Sequence, residues 1–203
     1  MFIGKWNKSV ILTYVGMALS VAAMFLSFTG AKINYALVCL MFAGICDLFD
    51  GAVARKCKRT QQEKDFGVQL DSLCDVISFI ACPIAVFFGL GLTHIWSLAV
   101  VIFYAVCGVA RLAYFNITTA DGDAPVKYYS GLPVTFSALI FPLLCLFKFV
   151  LGQTVFEILF TVLIFIVGLM FILNIKIKKP RGAAYIIFSV LAVAVSVLYL
   201  TVL

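Results

Sequence analysis

The sequence predicts an all-α polytopic transmembrane helical bundle of about six to seven spans, in one integral membrane domain over residues 1–203. Three observations predict it. Of the 203 residues, 65% are hydrophobic and only 12% are charged, whereas a soluble domain is roughly half apolar and about a quarter charged. A soluble chain of this size could not hide so much apolar surface from water. The apolar residues also run in seven blocks of span length, and Lys and Arg gather in alternate connections.

A helix needs about 20 apolar residues to cross the hydrocarbon core. The candidates are 9–28, 33–55, 67–89, 95–116, 131–150, 155–175 and 183–203. Irregular backbone cannot face lipid, so each is a helix or is shielded by helices. The first run continues past the length of a signal-peptide core without an Ala-x-Ala-like site, so it reads as a span and not a cleaved leader. Lys5, Trp6 and Lys8 precede it as an interfacial anchor. The seventh is either a full member of the bundle or an accessory span on a smaller core.

Charge sets the orientation. Arg55, Lys56, Lys58, Arg59 and Lys64 crowd one connection, and Lys176, Lys178, Lys179 and Arg181 crowd another. The connections 90–94 and 151–154 carry no Lys or Arg. A cytoplasmic N-terminus places the dense positive connections on the cytoplasmic side and the C-terminus outside. The net charge of +6 is mostly this topology signal. It also suits anionic lipid head groups, and no basic–aromatic platform suggests nucleic acid. Asp121 and Asp123, in the polar stretch 117–128, read as solvated loop acids. The seven cysteines form no C-x-x-C pair and read as reduced and buried.

Charges inside a span are expensive and usually functional. Four of the nine acidic residues fall inside two consecutive spans. Asp47 and Asp50 are three apart, and Asp71 and Asp75 are four apart, so each pair shares a helical face. The first pair lies in the last turns of a helix running inward and the second in the first turns of one running outward. A short connection makes these helices antiparallel neighbours, with the carboxylates meeting near one membrane interface. Four ionised carboxylates in a low-dielectric pocket need protons or cations. Oxygen-only ligands favour two divalent ions, Mg²⁺ or Mn²⁺, a device suited to displacement at phosphorus. Gly51 and Gly67 open space beside the acids, with close helix packing as their alternative role. Arg55 suits a phosphate oxygen, and Ala54 keeps its face small.

The pattern Asp47-x2-Asp50-Gly51-x2-Ala54-Arg55, then Gly67-x3-Asp71-x3-Asp75, resembles the signature of the CDP-alcohol phosphotransferases. Residues 56–66, eleven in all, separate Arg55 from Gly67. That is about three more than the usual family gap, nearly one helical turn, so the second pair keeps its facing. Within the family the chain is most similar to the phosphatidylserine synthases. The segments Leu70–Asp75 with Phe79 and Pro83, Ala110–Asn116, and Gly131-Leu132-Pro133 carry that likeness, with Tyr114 where the group often has a basic residue.

The resemblance implies the family's compact helical membrane fold as a single catalytic domain, forming a homodimer in the cell membrane with its site facing the cytoplasm. It implies transfer of a phosphatidyl group from CDP-diacylglycerol to L-serine, with release of CMP. Asp47, Asp50, Asp71 and Asp75 would hold two divalent cations, and Asp75 would take the serine hydroxyl proton. Asp47, Gly51, Ala54, Arg55 and Gly67 would line the CDP site. For the serine carboxylate, Arg111 is the first candidate, with pairing to an aspartate as its alternative, and Lys127 is the second. Asn116 reads as a helix-end cap, with serine orientation as the alternative. His94 falls on the outer connection and has no catalytic role. Tyr128 and Tyr129 read as interfacial anchors.

Two rivals follow from the same residues. One is the same reaction with glycerol 3-phosphate or an inositol phosphate as acceptor. The other is an ion-coupled transporter, although such proteins often show two related halves and here one acidic cluster stands without a second copy.

Overall fold

The computed structural model describes residues 4–29, 32–120, 128–178 and 183–201. Asp121, Asp123 and Lys127 lie outside the described residues, as do the side chains of Tyr128 and Tyr129. Among the described residues seven helices follow in order. They are α1 (Ile11–Phe28), α2 (Ile33–Lys56), α3 (Gln61–Gly89), α4 (Ile95–Ala120), α5 (Val134–Phe149), α6 (Gln153–Ile172) and α7 (Ala183–Thr201). Six of them, all but α5, are long and apolar enough to cross a membrane. The chain is a multi-pass membrane protein.

The polar punctuation sets the boundaries. Asn7 accepts from the Ser9 N–H at 3.1 Å and caps the 3₁₀ turn Lys8–Val10 that leads into α1. Trp6 stacks on Tyr14 at 5.2 Å, as an anchor at the helix entrance. Helix α3 begins six residues before the apolar run that announced it. Thr60 and Glu63 form a capping box there, each satisfying the other's backbone N–H. The charged stretch after Arg55 is therefore mostly helix, and only residues 57–60 turn between α2 and α3.

Helix α5 has 16 residues, but it is 3₁₀ over Val134–Phe136 and again over Leu146–Phe149. The larger 3₁₀ rise stretches it to about 28 Å, close to the hydrocarbon thickness. Its neighbours confirm that it runs from one end of the bundle to the other. Before it, β1 (Tyr128–Ser130) pairs antiparallel with β2 (Lys176–Lys178), Tyr128 opposite Lys178. After it, Gln153 donates to the Leu90 carbonyl at 3.2 Å. The sequence signalled neither strand.

The N-terminal segment, the α2–α3 turn and the β1–β2 pair share one end, the basic end. Asn7 ties the first two together by donating to the Lys58 carbonyl and to Glu63. The opposite end joins Asn34 to the Tyr199 carbonyl and His94 to Glu157. All seven cysteines are free thiols.

Packing in lipid depends on close approach and interhelical hydrogen bonds. A Cβ at Gly44 would lie 2.7 Å from the Ala138 Cβ, so α2 and α5 cross only because Gly44 is bare. Phe87, Tyr104, Phe141 and Phe160 meet at the centre, joining α3, α4, α5 and α6. Helix α3 is π-helical over Val76–Ala81. A π segment leaves a carbonyl outside the regular ladder, and such segments recur at functional sites. Here the Phe79 carbonyl accepts from the Tyr104 hydroxyl at 2.6 Å and from Ser137 at 3.2 Å. The π segment begins one residue after Asp75, and the clamped carbonyl lies four residues after it.

Candidate active site

Asp47 and Asp50 project from the second half of α2, and Asp71 and Asp75 from the middle of α3. Because α3 starts early, Asp71 and Asp75 are not in its first turns. They lie about 15 and 21 Å along it, while Asp47 lies about 14 Å from the end of α2. The two helices run antiparallel, touching over Val76–Gly89 of α3 but parting over Gln61–Asp75. Helix α1 lies against both, and the carboxylates reach across the space between. Side-chain contacts join the deeper acids, Asp47 and Asp75, and the shallower ones, Asp50 and Asp71.

Carboxylate oxygens of Asp47, Asp71 and Asp75 all lie within 4.8 Å of one another. Asp50 is 8% exposed and meets the trio through Asp71 alone, outside the mutual 4.8 Å grouping. It accepts from the Thr13 hydroxyl of α1 at 2.9 Å. Thr13 was missed in the sequence because a lone Thr in an apolar helix ordinarily bonds its own preceding turn. Among the described residues the single ion pair is His94–Glu157 at 3.3 Å, so neither Arg55 nor Lys56 pairs with the four aspartates. An all-oxygen trio this close is a fitting cradle for a hard divalent ion.

The acids face a cavity of about 740 Å³. Its polar wall adds Gly51, Arg55, Ser72, Arg111 and Asn116. Arg111 is buried on α4, with Cζ 4.9 Å above the Phe115 ring. Asn116 is not a helix cap. It sits inside α4 and exchanges hydrogen bonds with Ser72 of α3 at 2.8 and 3.0 Å. A Cβ at Gly51 would meet only Arg55 Nη1 at 3.5 Å, and one at Gly67 only Arg59 Nη1 at 3.8 Å. Neither glycine is at a helix crossing, so close packing does not explain them. Ala54 and Gly67 stand outside the cavity lining, Gly67 one turn before Asp71 on the same face. The cavity continues into an apolar limb between α2, α5 and α7, past Ile45, Leu139 and Phe188. Nothing in the local sequence signalled that limb, which forms only where three distant helices meet.

The model of the CDP-alcohol phosphatidyltransferase family matches residues 6–198. The chain belongs to this family. It is 38% identical over 97 residues to the CDP-diacylglycerol–serine O-phosphatidyltransferase of Saccharomyces cerevisiae, covering 45% of this chain and 34% of that one. It is 34% identical over 148 residues to the enzyme of the same name from Methanocaldococcus jannaschii, covering 72% and 65%. It is also 33% identical over 118 residues to the archaetidylserine synthase of Methanothermobacter thermautotrophicus, covering 58% and 48%. The chain thus spans between a third and two thirds of the length of these relatives.

Proposed function

We propose that this chain transfers a phosphatidyl group from CDP-diacylglycerol to L-serine, giving phosphatidylserine and CMP. The observation that carries the reading is the trio of carboxylates within 4.8 Å on a cavity that is polar at the aspartates and apolar between α2, α5 and α7. A nucleotide-activated lipid needs both characters at once. The serine transferases among the relatives support this acceptor over glycerol 3-phosphate or an inositol phosphate. Family membership supports transfer chemistry over ion-coupled transport.

Asp47, Asp71 and Asp75 would hold one divalent cation, with Asp50 and Asp71 contributing to a second. When bound, such ions neutralise the diphosphate and stabilise charge on the departing CMP. The chain's own residues do the rest. Thr13 keeps Asp50 facing the site. The π-turn clamp holds Asp75, which takes the serine hydroxyl proton as the oxygen attacks phosphorus. Arg111 receives the serine carboxylate. Gly51 leaves room for the CDP group beside Arg55, and the apolar limb keeps the acyl chains out of water. The basic end would face the cytoplasm, in a cell membrane, and a homodimer is the assembly the resemblance implies.

The test is an acceptor panel. Purified protein is given CDP-diacylglycerol with serine, glycerol 3-phosphate or inositol phosphate, with Mg²⁺, with Mn²⁺ and with chelator. CMP release that depends on serine and on divalent metal is expected. Robust release with another alcohol, and none with serine, would sink the serine assignment.

A further inference from the structure

We propose that Arg59 is a second phosphate-binding guanidinium of this site, directed at the nucleotide that departs. The proposal rests on the CDP-diacylglycerol reading above.

Arg59 belongs to the turn 57–60, inside the stretch that is longer than usual for the family. Its side chain folds back onto α3, and Nη1 lies 3.8 Å from where a Gly67 Cβ would be. Gly67 shares a face with Asp71 and lies about 6 Å nearer the basic end. Arg59 is half-buried, and its Nε is buried with no hydrogen-bond partner among the described residues. No acid pairs with it among those residues either. A buried donor left unmatched is costly, and the planar guanidinium fork matches a phosphate. Arg55 makes the counterpart on α2, with Nη1 3.5 Å from the Cβ position of Gly51. Each aspartate helix thus carries one guanidinium over bare glycine backbone.

The direction of the substrate gives Arg59 its role. The acyl chains belong in the apolar limb, so the nucleotide extends toward the basic end. In the transfer, the serine oxygen bonds the phosphatidyl phosphorus and its proton passes to Asp75. The bond from that phosphorus to the bridging oxygen breaks, and the electron pair leaves on CMP. The nucleotide phosphate gains a negative charge as it departs, and a guanidinium at Gly67 gains attraction in the same step.

The experiment compares purified full-length wild type with Arg59→Gln, Arg59→Lys and, as a charge control at the same end, Lys64→Gln. Phosphatidylserine formation is followed at increasing CMP or cytidine, and CMP binding is read separately as a melting-temperature shift with Mg²⁺ present. Arg59→Gln is expected to weaken CMP inhibition about tenfold while leaving cytidine inhibition and the KM for serine unchanged. Arg59→Lys keeps the charge without the fork and should lose about threefold. Lys64→Gln should match wild type. CMP inhibition unchanged in Arg59→Gln, or CMP and cytidine weakened alike, overturns the proposal. If Arg59→Gln does not fold, unchanged CMP inhibition in Arg59→Lys overturns it. A wild type that neither binds CMP nor releases it from CDP-diacylglycerol overturns the substrate reading and Arg59 with it. That outcome is distinct from an Arg59 variant that binds CMP as well as an active wild type does.

Discussion

Around Phe87, four helices close on one another through aromatic rings; around Asp47, α2 and α3 part and leave a cavity of about 740 Å³. Both regions are built from the same kind of apolar helix in the same bilayer. The closed region places Phe87 against Phe141 at 4.7 Å and Phe160 at 5.6 Å, edge to face. Each such pair is worth about 0.5–1.5 kcal/mol beyond its area. The open region gives up that packing and gathers like charges, which repel unless a cation joins them. Stability and chemistry are thus separated in space, and the π turn of α3 is the joint between them. Phe79 hands its carbonyl to Tyr104 of the closed region one turn after Asp75.

Substitutions at the three places should behave differently. Asp75→Asn should abolish CMP release, by about a thousandfold or more if Asp75 acts as the base. Its metal-free melting temperature should hold or rise, because one of the crowded carboxylates is gone, and Mg²⁺ should no longer raise it. Retained activity would remove Asp75 from the proton transfer. Phe87→Ala should do the reverse. A cavity among fully buried rings costs about 3–5 kcal/mol, read as a lower melting temperature in detergent, while the folded fraction keeps its KM for serine. A variant as stable as wild type would refute the division. Tyr104→Phe should touch both regions by less. It keeps the ring and loses the hydroxyl bond, a change of about 0.6–1.7 kcal/mol in membrane proteins. A small drop in melting temperature should accompany a drop in kcat at unchanged KM. A stability loss with kcat intact would show that the clamp does not hold Asp75.

Much of this was legible in the chain. Apolar block length and alternating Lys and Arg specify a multi-pass helical bundle, because lipid forbids unpaired backbone and charge is costly to translocate. The spacings 47–50 and 71–75 put carboxylates on common faces, because a helix repeats every 3.6 residues. The start of α3 was legible in principle from Thr60 and Glu63, but the charged residues after them look like a loop to any reading based on hydropathy. Tertiary structure alone decided which carboxylates join the trio and that Thr13 holds Asp50. It also decided that Asn116 meets Ser72 and that the cavity runs on between α2, α5 and α7. Periodicity places a residue on a face, but only the packing of helices distant in sequence determines what that face meets.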